Sequence, residues 1–117
     1  MNHGFSTSLF SMFLFLTLGS QQILAATAIC TGQITQISYH IPDGLNIKIG
    51  AASQVKACSF NVKQFRVTPE SCRAMAAMAI AARTVGASVT LYVDNAPTTN
   101  CLDIPGSHVS DTRYLSY

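Results

Sequence analysis

The feature that most constrains the fold of this chain is its set of four cysteines, Cys30, Cys58, Cys72 and Cys101. An even number of cysteines in a short exported chain is typical of a disulfide framework. No two of them are spaced as in C-x-x-C, so they match neither a zinc motif nor a redox motif. Sequence alone leaves every pairing open, and the order of the predicted elements is needed to choose among them.

The N-terminal segment has the features of a secretory signal. Leu9–Leu18 is a mostly apolar stretch of about ten residues, too short to span a bilayer. Ala26–Ala28 has the small-x-small pattern of a signal peptidase site. We therefore predict that residues 1–28 are cleaved, that residues 29–117 form a secreted or periplasmic domain, and that no stable membrane span remains. An uncleaved membrane anchor is the alternative.

The remaining domain, about 89 residues, is enough for one small core. Cross-links matter at this size, because each disulfide contributes about 2–4 kcal/mol. The net charge is +2 and the basic residues are scattered along the chain. Since no basic cluster resembles a nucleic-acid footprint, we predict no nucleic-acid partner.

Three strands are predicted before the helix. They are Thr31–Ile41, Leu45–Gly50 and Val55–Val62, each with alternating apolar and polar residues. The apolar phase of the first strand slips between Ile34 and Ile37, which indicates a bulge or bend.

The segment "VTPESCRAMAAMAIAARTVG" predicts one helix with a defined start and stop. Thr68 is a good N-cap, Pro69 suits the first helical position, and Gly86 is a C-terminal stop. The helix is expected to run from Pro69 to Thr84 or Val85. The spacing predicts a buried face of Cys72, Met75, Ala76, Ala79 and Ala82 or Arg83.

A fourth strand, Ala87–Val93, is predicted after the helix, followed by a turn-rich loop at 94–100. "CLDI", 101–104, is interpreted as a short fifth strand, and the tail from about residue 105 as irregular. The fold class is therefore mainly β with one helix. We expect a small five-stranded OB-type Greek-key barrel, with an open α+β sandwich as the alternative.

This element order favours the disulfides Cys58–Cys72 and Cys30–Cys101. Cys58 lies in the third strand, and Cys72 lies in the first turn of a helix that must pack back on the sheet. Cys30 at the start of the first strand and Cys101 at the start of the last segment can then lie side by side.

The helix also has an unusual apolar surface. From Ala74 to Ala82 there is no charged or polar residue, so apolar residues encircle the helix and part of them should be covered. We predict self-association through the 69–85 helix; a solvated surface of good helix formers is the alternative. The predicted oligomer face consists of Arg73, Ala77, Ile80, Ala81 and Thr84.

No enzymatic site, cofactor or metal is predicted. The five carboxylates are widely spaced, and His40 and His108 stand in no nucleophile or metal motif. Arg113, Tyr114 and Tyr117 offer groups that can stack on a sugar or a partner, but a terminal segment that lies over the barrel or is frayed is the favoured explanation. Two further aromatic residues, Phe60 and Phe65, are interpreted as core or rim residues.

Three segments carry a resemblance to a known family. They are "TGQITQISYHI", "KACSFNV" and "AARTVGASVTLYV", which resemble the B subunits of subtilase cytotoxin and typhoid toxin. The resemblance implies a bacterial OB-fold protein, a pentameric ring and glycan binding for delivery of a toxic A subunit. Thr31 stands where the family has a sugar-contacting serine. In the family the third-strand cysteine pairs with one in strand two, and this strand two has none.

The chain also resembles a group of small exported bacterial proteins with four cysteines, which implies no function. We therefore expect a non-catalytic module that binds a glycan or protein receptor, with Thr31 as the candidate ligand-binding residue. The alternative is a small secreted or periplasmic structural or protein-interaction domain without a sugar site.

Overall fold

The computed structural model describes residues 25–40 and 43–117, except for the side chain of His40. The elements in chain order are β1 (Ala26–His40), β2 (Gly44–Ile49), β3 (Val55–Ser59), α1 (Pro69–Val85), β4 (Ser88–Ala96), a 3₁₀ turn (Cys101–Asp103), β5 (His108–Val109) and β6 (Thr112–Ser116). The fold is mainly β with one helix, as predicted. Within this described part, no helix combines the length and apolarity needed to cross a bilayer.

The six strands form one sheet in the order β5-β3-β2-β1-β4-β6. All pairs are antiparallel except β3 and β5. The two edge strands are consecutive in the chain and are joined by only Ser110 and Asp111. Ser110 donates its N–H to Lys56 O at 3.0 Å, and Asp94 donates its N–H to Asp111 O at 2.8 Å. The sheet therefore curls into a half-barrel.

The first strand is shared between the two halves of this curled sheet. Its residues up to Gln33 pair with β4, and those from Ile34 pair with β2. The β2 register shifts between Ile34 and Gln36, which confirms the bulge predicted from the apolar phase. Gly32, just before it, allows close approach: a Cβ there would lie 3.3 Å from Ile49 Cγ2.

The core lies between the concave face of the sheet and the helix. Every second residue of β4 points inward, and Val89, Leu91 and Val93 are at most 1% exposed. On the helix, Cys72, Ala79 and Ala82 are fully buried. These small side chains allow the helix backbone to approach the sheet closely.

The helix starts and stops where its sequence signals indicate. Thr68 Oγ1 accepts the N–H of Ser71 at 3.1 Å, and Pro69 occupies the first turn. Gly86 ends the helix with φ +67°, a left-handed conformation in which its N–H reaches the carbonyls of the last turn. Because all of these contacts are local, the helix bounds could be read directly from the sequence.

Two disulfides cross-link the domain, with the pairing that the element order favours. Cys58 of β3 is bonded to Cys72 of α1, and Cys30 of β1 is bonded to Cys101 of the 3₁₀ turn. Three of the four cysteines are at most 3% exposed, and Cys101 is partly exposed. Two disulfides fit an oxidising compartment outside the cytosol.

The C-terminal third differs from the prediction. The expected fifth strand at 101–104 is a 3₁₀ turn, because the side chain of Asn100 caps it by accepting the N–H of Leu102. The expected loop at 94–100 begins with three residues that extend β4 to Ala96. The tail predicted to be irregular contains β5 and β6, so the sheet has six strands rather than five.

The predicted cleavage site after Ala28 falls within β1, and residues 1–24 of the predicted signal lie outside the described residues. Ala28 is fully buried and pairs with Val93. Thr27 Oγ1 donates to Asp94 Oδ1 at 3.1 Å. Cleavage after Ala28 would remove these contacts from the sheet, and removal of residues 1–28 stays a prediction.

Candidate functional site

A cavity of about 430 Å³ opens beside Thr31, the residue singled out by the resemblance. It lies between β1, the turn that joins β2 to β3, and the loop that leads into the 3₁₀ turn. Its walls combine exposed apolar side chains with hydroxyl and amide groups. The lining residues are Ile29, Thr31, Ile49, Gly50, Ala51, Ala52, Thr99, Asn100, Cys101 and Leu102.

Strand alternation presents Thr31 to the cavity. Cys30 points into the core and is 3% exposed, so Thr31 points outward. Its hydroxyl shares a hydrogen bond with that of Thr90, the partner residue on β4, at 3.2 Å. This contact orients one polar group at the edge of the cavity.

The opposite wall is fixed by a disulfide and by local capping. The Cys30–Cys101 bond ties the 3₁₀ turn to β1, one residue away from Thr31. Asn100 caps that turn, and Thr98 Oγ1 accepts the N–H of Asn100 at 3.1 Å. The two walls of the cavity are therefore held at a fixed separation by covalent and hydrogen-bonded contacts.

Two large apolar side chains border the cavity. Ile29 is 51% exposed and Leu102 is 62% exposed, while Ile49 beneath them is buried. Binding sites for small molecules commonly combine apolar walls with a few fixed polar groups. This cavity can therefore hold a ligand that has both C–H faces and hydroxyl groups.

A group of tyrosines lies on the same outer face of the sheet. Ile29 pairs with Tyr92 across β1 and β4, and the β4–β6 register shifts between Leu91 and Val93. In a bulge of this kind, two residues of one strand lie opposite a single residue of the other, so Arg113 and Tyr114 of β6 both face Tyr92 of β4. The Tyr92 and Tyr114 rings are 4.4 Å apart, and Arg113 Cζ lies 5.4 Å from the Tyr92 ring centroid.

The tyrosine hydroxyls are also linked to each other. A hydrogen bond with Tyr92 raises the pKa of Tyr114 above its ordinary value. The Tyr114 phenol therefore stays neutral at physiological pH and offers a hydroxyl group to a ligand.

An ion-pair network holds Arg113 in place. Asp94 Oδ1 accepts from Arg113 Nη2 at 2.8 Å, and Asp94 Oδ2 accepts from Arg66 Nη2 at 2.8 Å. Arg66 also pairs with Asp111 at 3.1 Å. The hydrogen bond from Arg113 lowers the pKa of Asp94, and the hydrogen bond to Asp94 raises that of Arg113. The hydrogen bond to Asp111 raises the pKa of Arg66.

The structure brings some of the predicted site residues together. Thr31 lines the cavity, and Arg113 and Tyr114 lie on the adjoining face, whereas Tyr117 is an exposed residue at the end of the chain. The sequence predicts a loop at 94–100 and a short strand at 101–104, so it does not indicate the cavity residues after Thr98. Asn100 directly before a cysteine was the available signal, since asparagine is a favoured cap.

The predicted oligomer face lies on the outside of α1. All five of its residues, Arg73, Ala77, Ile80, Ala81 and Thr84, are exposed. Ile80 is 56% exposed, and the nearby Met78 and Val85 are also exposed. The face therefore combines three apolar residues with Arg73 and Thr84 on the side of the helix opposite the buried Cys72, Ala79 and Ala82.

Carboxylates of the described residues do not converge on a metal site. Among residues 25–40 and 43–117, no three His, Cys, Asp or Glu side chains are grouped so as to hold a metal ion. Asp43 pairs with Lys56 at 3.4 Å and accepts from Ser59 Oγ at 2.9 Å. Asp94 and Asp111 belong to the arginine network.

Comparisons with protein-family models, with curated proteins and with solved structures find no match. The function must therefore be argued from the residues of this chain.

Proposed function

We propose that this protein is an exported, non-catalytic binding module with an OB-type Greek-key barrel, and that a glycan occupies the cavity beside Thr31. The barrel assignment is supported by the parallel pairing of β3 with β5, by the sharing of β1 between both halves of the sheet, and by the helix between β3 and β4.

The observation that carries the proposal is the composition of the cavity. A sugar ring presents hydroxyl groups around its edge and apolar C–H groups on its faces. The hydroxyls of Thr31 and Thr99 can form hydrogen bonds with the hydroxyl groups at the ring edge. The exposed side chains of Ile29 and Leu102 can pack against the apolar face of the ring. The neighbouring tyrosines extend the same surface with rings suited to stacking. Resemblance to toxin B subunits supports a receptor glycan as the ligand.

A glycan array of the secreted protein tests this proposal. We expect wild type to bind one class of glycans and T31V, which keeps the side-chain shape but loses the hydroxyl, to bind at least ten-fold more weakly. T84V is the matched control, because Thr84 lies on α1, away from the cavity, and its hydroxyl donates to the Ile80 carbonyl of its own helix. An array without any specific signal, or binding by T31V equal to that of wild type, would contradict the proposal.

The apolar outer face of α1 supports a second candidate, a protein-interaction domain that associates with itself. Exposure of Ile80, Met78 and Val85 is the observation in its favour. The two candidates use different surfaces, so a binding experiment and an oligomer measurement separate them.

A further inference from the structure

The segment between β3 and α1 contains a turn with an unexpected residue. Gln64 and Val67 exchange both backbone hydrogen bonds at 3.0 Å, which closes a two-residue turn. Its first central residue, Phe65, has φ +52°, whereas Arg66 does not have a positive φ. This is the pattern of a type II′ turn, in which that position is normally glycine.

Neither local preference nor burial explains the phenylalanine. A bulky residue with positive φ is a genuine outlier, and its side chain is 53% exposed. Phe65 therefore stabilises neither the turn nor the core. Strained residues persist where the surrounding structure imposes them, and they cluster at functional positions.

The surroundings of Phe65 are built to hold it in this conformation. Gln64 is 7% exposed, and its Nε2 donates to the carbonyls of Lys56 and Ser110, both at 2.9 Å. Val67 is 6% exposed. Arg66 is bound to Asp94 and Asp111. The residues on both sides are thus fixed to the sheet, and Phe65 projects from them.

The same segment exposes a second apolar side chain and a cation. Val62 is 58% exposed and Lys63 is also exposed. Residues 60–67 contain no Asp or Glu. Arg73, in the first turns of α1, adds positive charge next to this segment through a contact of its Nη2 with Phe60 O at 3.5 Å.

We propose that this tip, Val62–Phe65, docks reversibly on an anionic lipid surface. Phe65 and Val62 enter the headgroup boundary, while Lys63 contacts lipid phosphates. Apolar side chains combined with cations are the features of interfacial attachment to anionic membranes. Two exposed apolar side chains fall far short of the roughly 800 Å² per partner that a stable protein interface buries, so a lipid surface fits the tip better than a protein.

The tip and the glycan cavity are independent of each other. The cavity borders the turn that precedes β3, and the tip follows the end of β3. The two sites therefore share no residue, so substitutions at the tip leave the lining of the cavity unchanged.

Tryptophan fluorescence provides a direct test, because the chain contains no tryptophan. We expect the emission of F65W to shift to shorter wavelength with vesicles of phosphatidylcholine and phosphatidylglycerol, and not with phosphatidylcholine alone. Y117W is the matched control, since Tyr117 is 61% exposed and lies outside the tip, and its emission should not shift. An unshifted F65W, or an equal shift with neutral vesicles, would overturn the proposal.

Co-sedimentation with the same vesicles separates docking from folding. F65N removes the ring and suits a positive φ, so it should melt no lower than wild type while its bound fraction falls at least five-fold. K63Q should lower binding and weaken its dependence on salt. Unchanged binding by F65N would contradict the proposal, as would a lower melting temperature of F65N, which would show that Phe65 supports the fold.

Discussion

At the scale of single residues, several positions carry a contact or a backbone conformation that depends on the residue type. Thr31 offers a hydroxyl at the cavity edge, Gly86 ends the helix in a left-handed conformation, and Asp94 joins two arginines. These positions therefore respond to substitution for different physical reasons.

Replacing Gly86 by alanine should destabilise the fold by about 1 kcal/mol. A Cβ at Gly86 meets nothing closer than 3.9 Å, so the cost comes from φ +67° rather than from a clash. Chemical denaturation measures the change. G106A is the control, because Gly106 has open space and no positive φ. An equal loss in both variants would contradict this explanation.

The contribution of Asp94 should depend on pH. Its pKa is lowered in the folded protein by the hydrogen bond from Arg113, so the stabilisation is present above the unfolded pKa and is lost as pH falls through the folded value. D94N should therefore be less stable than wild type near pH 7, and the difference should shrink toward pH 2. Denaturation at both pH values measures it. A difference that is constant with pH would argue against the ion pairs.

At the scale of elements, the two disulfides differ in what they hold. Cys58–Cys72 spans 14 residues and fastens α1 to β3, whereas Cys30–Cys101 spans 71 and fastens the cavity wall to β1. The longer loop restricts the unfolded chain more. Loss of the two disulfides should therefore differ in its effect on the free energy of unfolding and in its effect on ligand binding.

Removing Cys30–Cys101 with paired alanines should cost about 4 kcal/mol, against about 3 kcal/mol for Cys58–Cys72. Only the first change should also release Leu102 and Asn100 from the cavity and abolish ligand binding in molecules that remain folded. Denaturation and a binding titration at low temperature give both readouts. Retained binding without Cys30–Cys101 would show that the cavity wall does not need this cross-link.

The parts of the fold that sequence predicted are those specified locally. Thr68, Pro69 and Gly86 define the helix through contacts within one turn, and the apolar phase slip in β1 marks the bulge. β5 and β6 escaped prediction because β5 has two residues and β6 is bulged, so neither shows a period. Their existence depends on hydrogen bonds to Lys56 and Asp94, which are distant in sequence.

Only part of the candidate site could be predicted from the sequence. Thr31 was predicted as a ligand-binding residue from the family resemblance, and no local spacing indicates it. Leu102 enters the cavity only because the 3₁₀ turn is bonded to β1 through Cys101, a contact that no local pattern encodes. The sequence predicts Phe65 as a core or rim residue, whereas its positive φ accompanies the backbone pairing of Gln64 with Val67, which no local pattern encodes.

At the scale of the whole molecule, three surfaces lie on different elements. The cavity lies beside β1, the apolar face lies on α1, and the Val62–Phe65 tip follows β3. The cavity shares no residue with the other two surfaces, whereas Arg73 belongs to the α1 face and also lies next to the tip.

Self-association through α1 should be visible by sedimentation velocity at high micromolar concentration. Wild type is expected to sediment as an oligomer, and I80E as a monomer, because a carboxylate on the apolar face opposes its burial. L102E is the control, since Leu102 lies at the cavity and not on the helix. A wild-type protein that sediments as a monomer would contradict this prediction.

The most direct test of the central claim is an amide chemical-shift map of the labelled protein titrated with the glycan selected on the array. Binding in the cavity predicts shifts concentrated at residues 29–31, 50–52 and 99–102, with weaker shifts at the tyrosine face. Shifts elsewhere, on α1 or the Val62–Phe65 tip, or an unchanged spectrum at millimolar glycan, would contradict it.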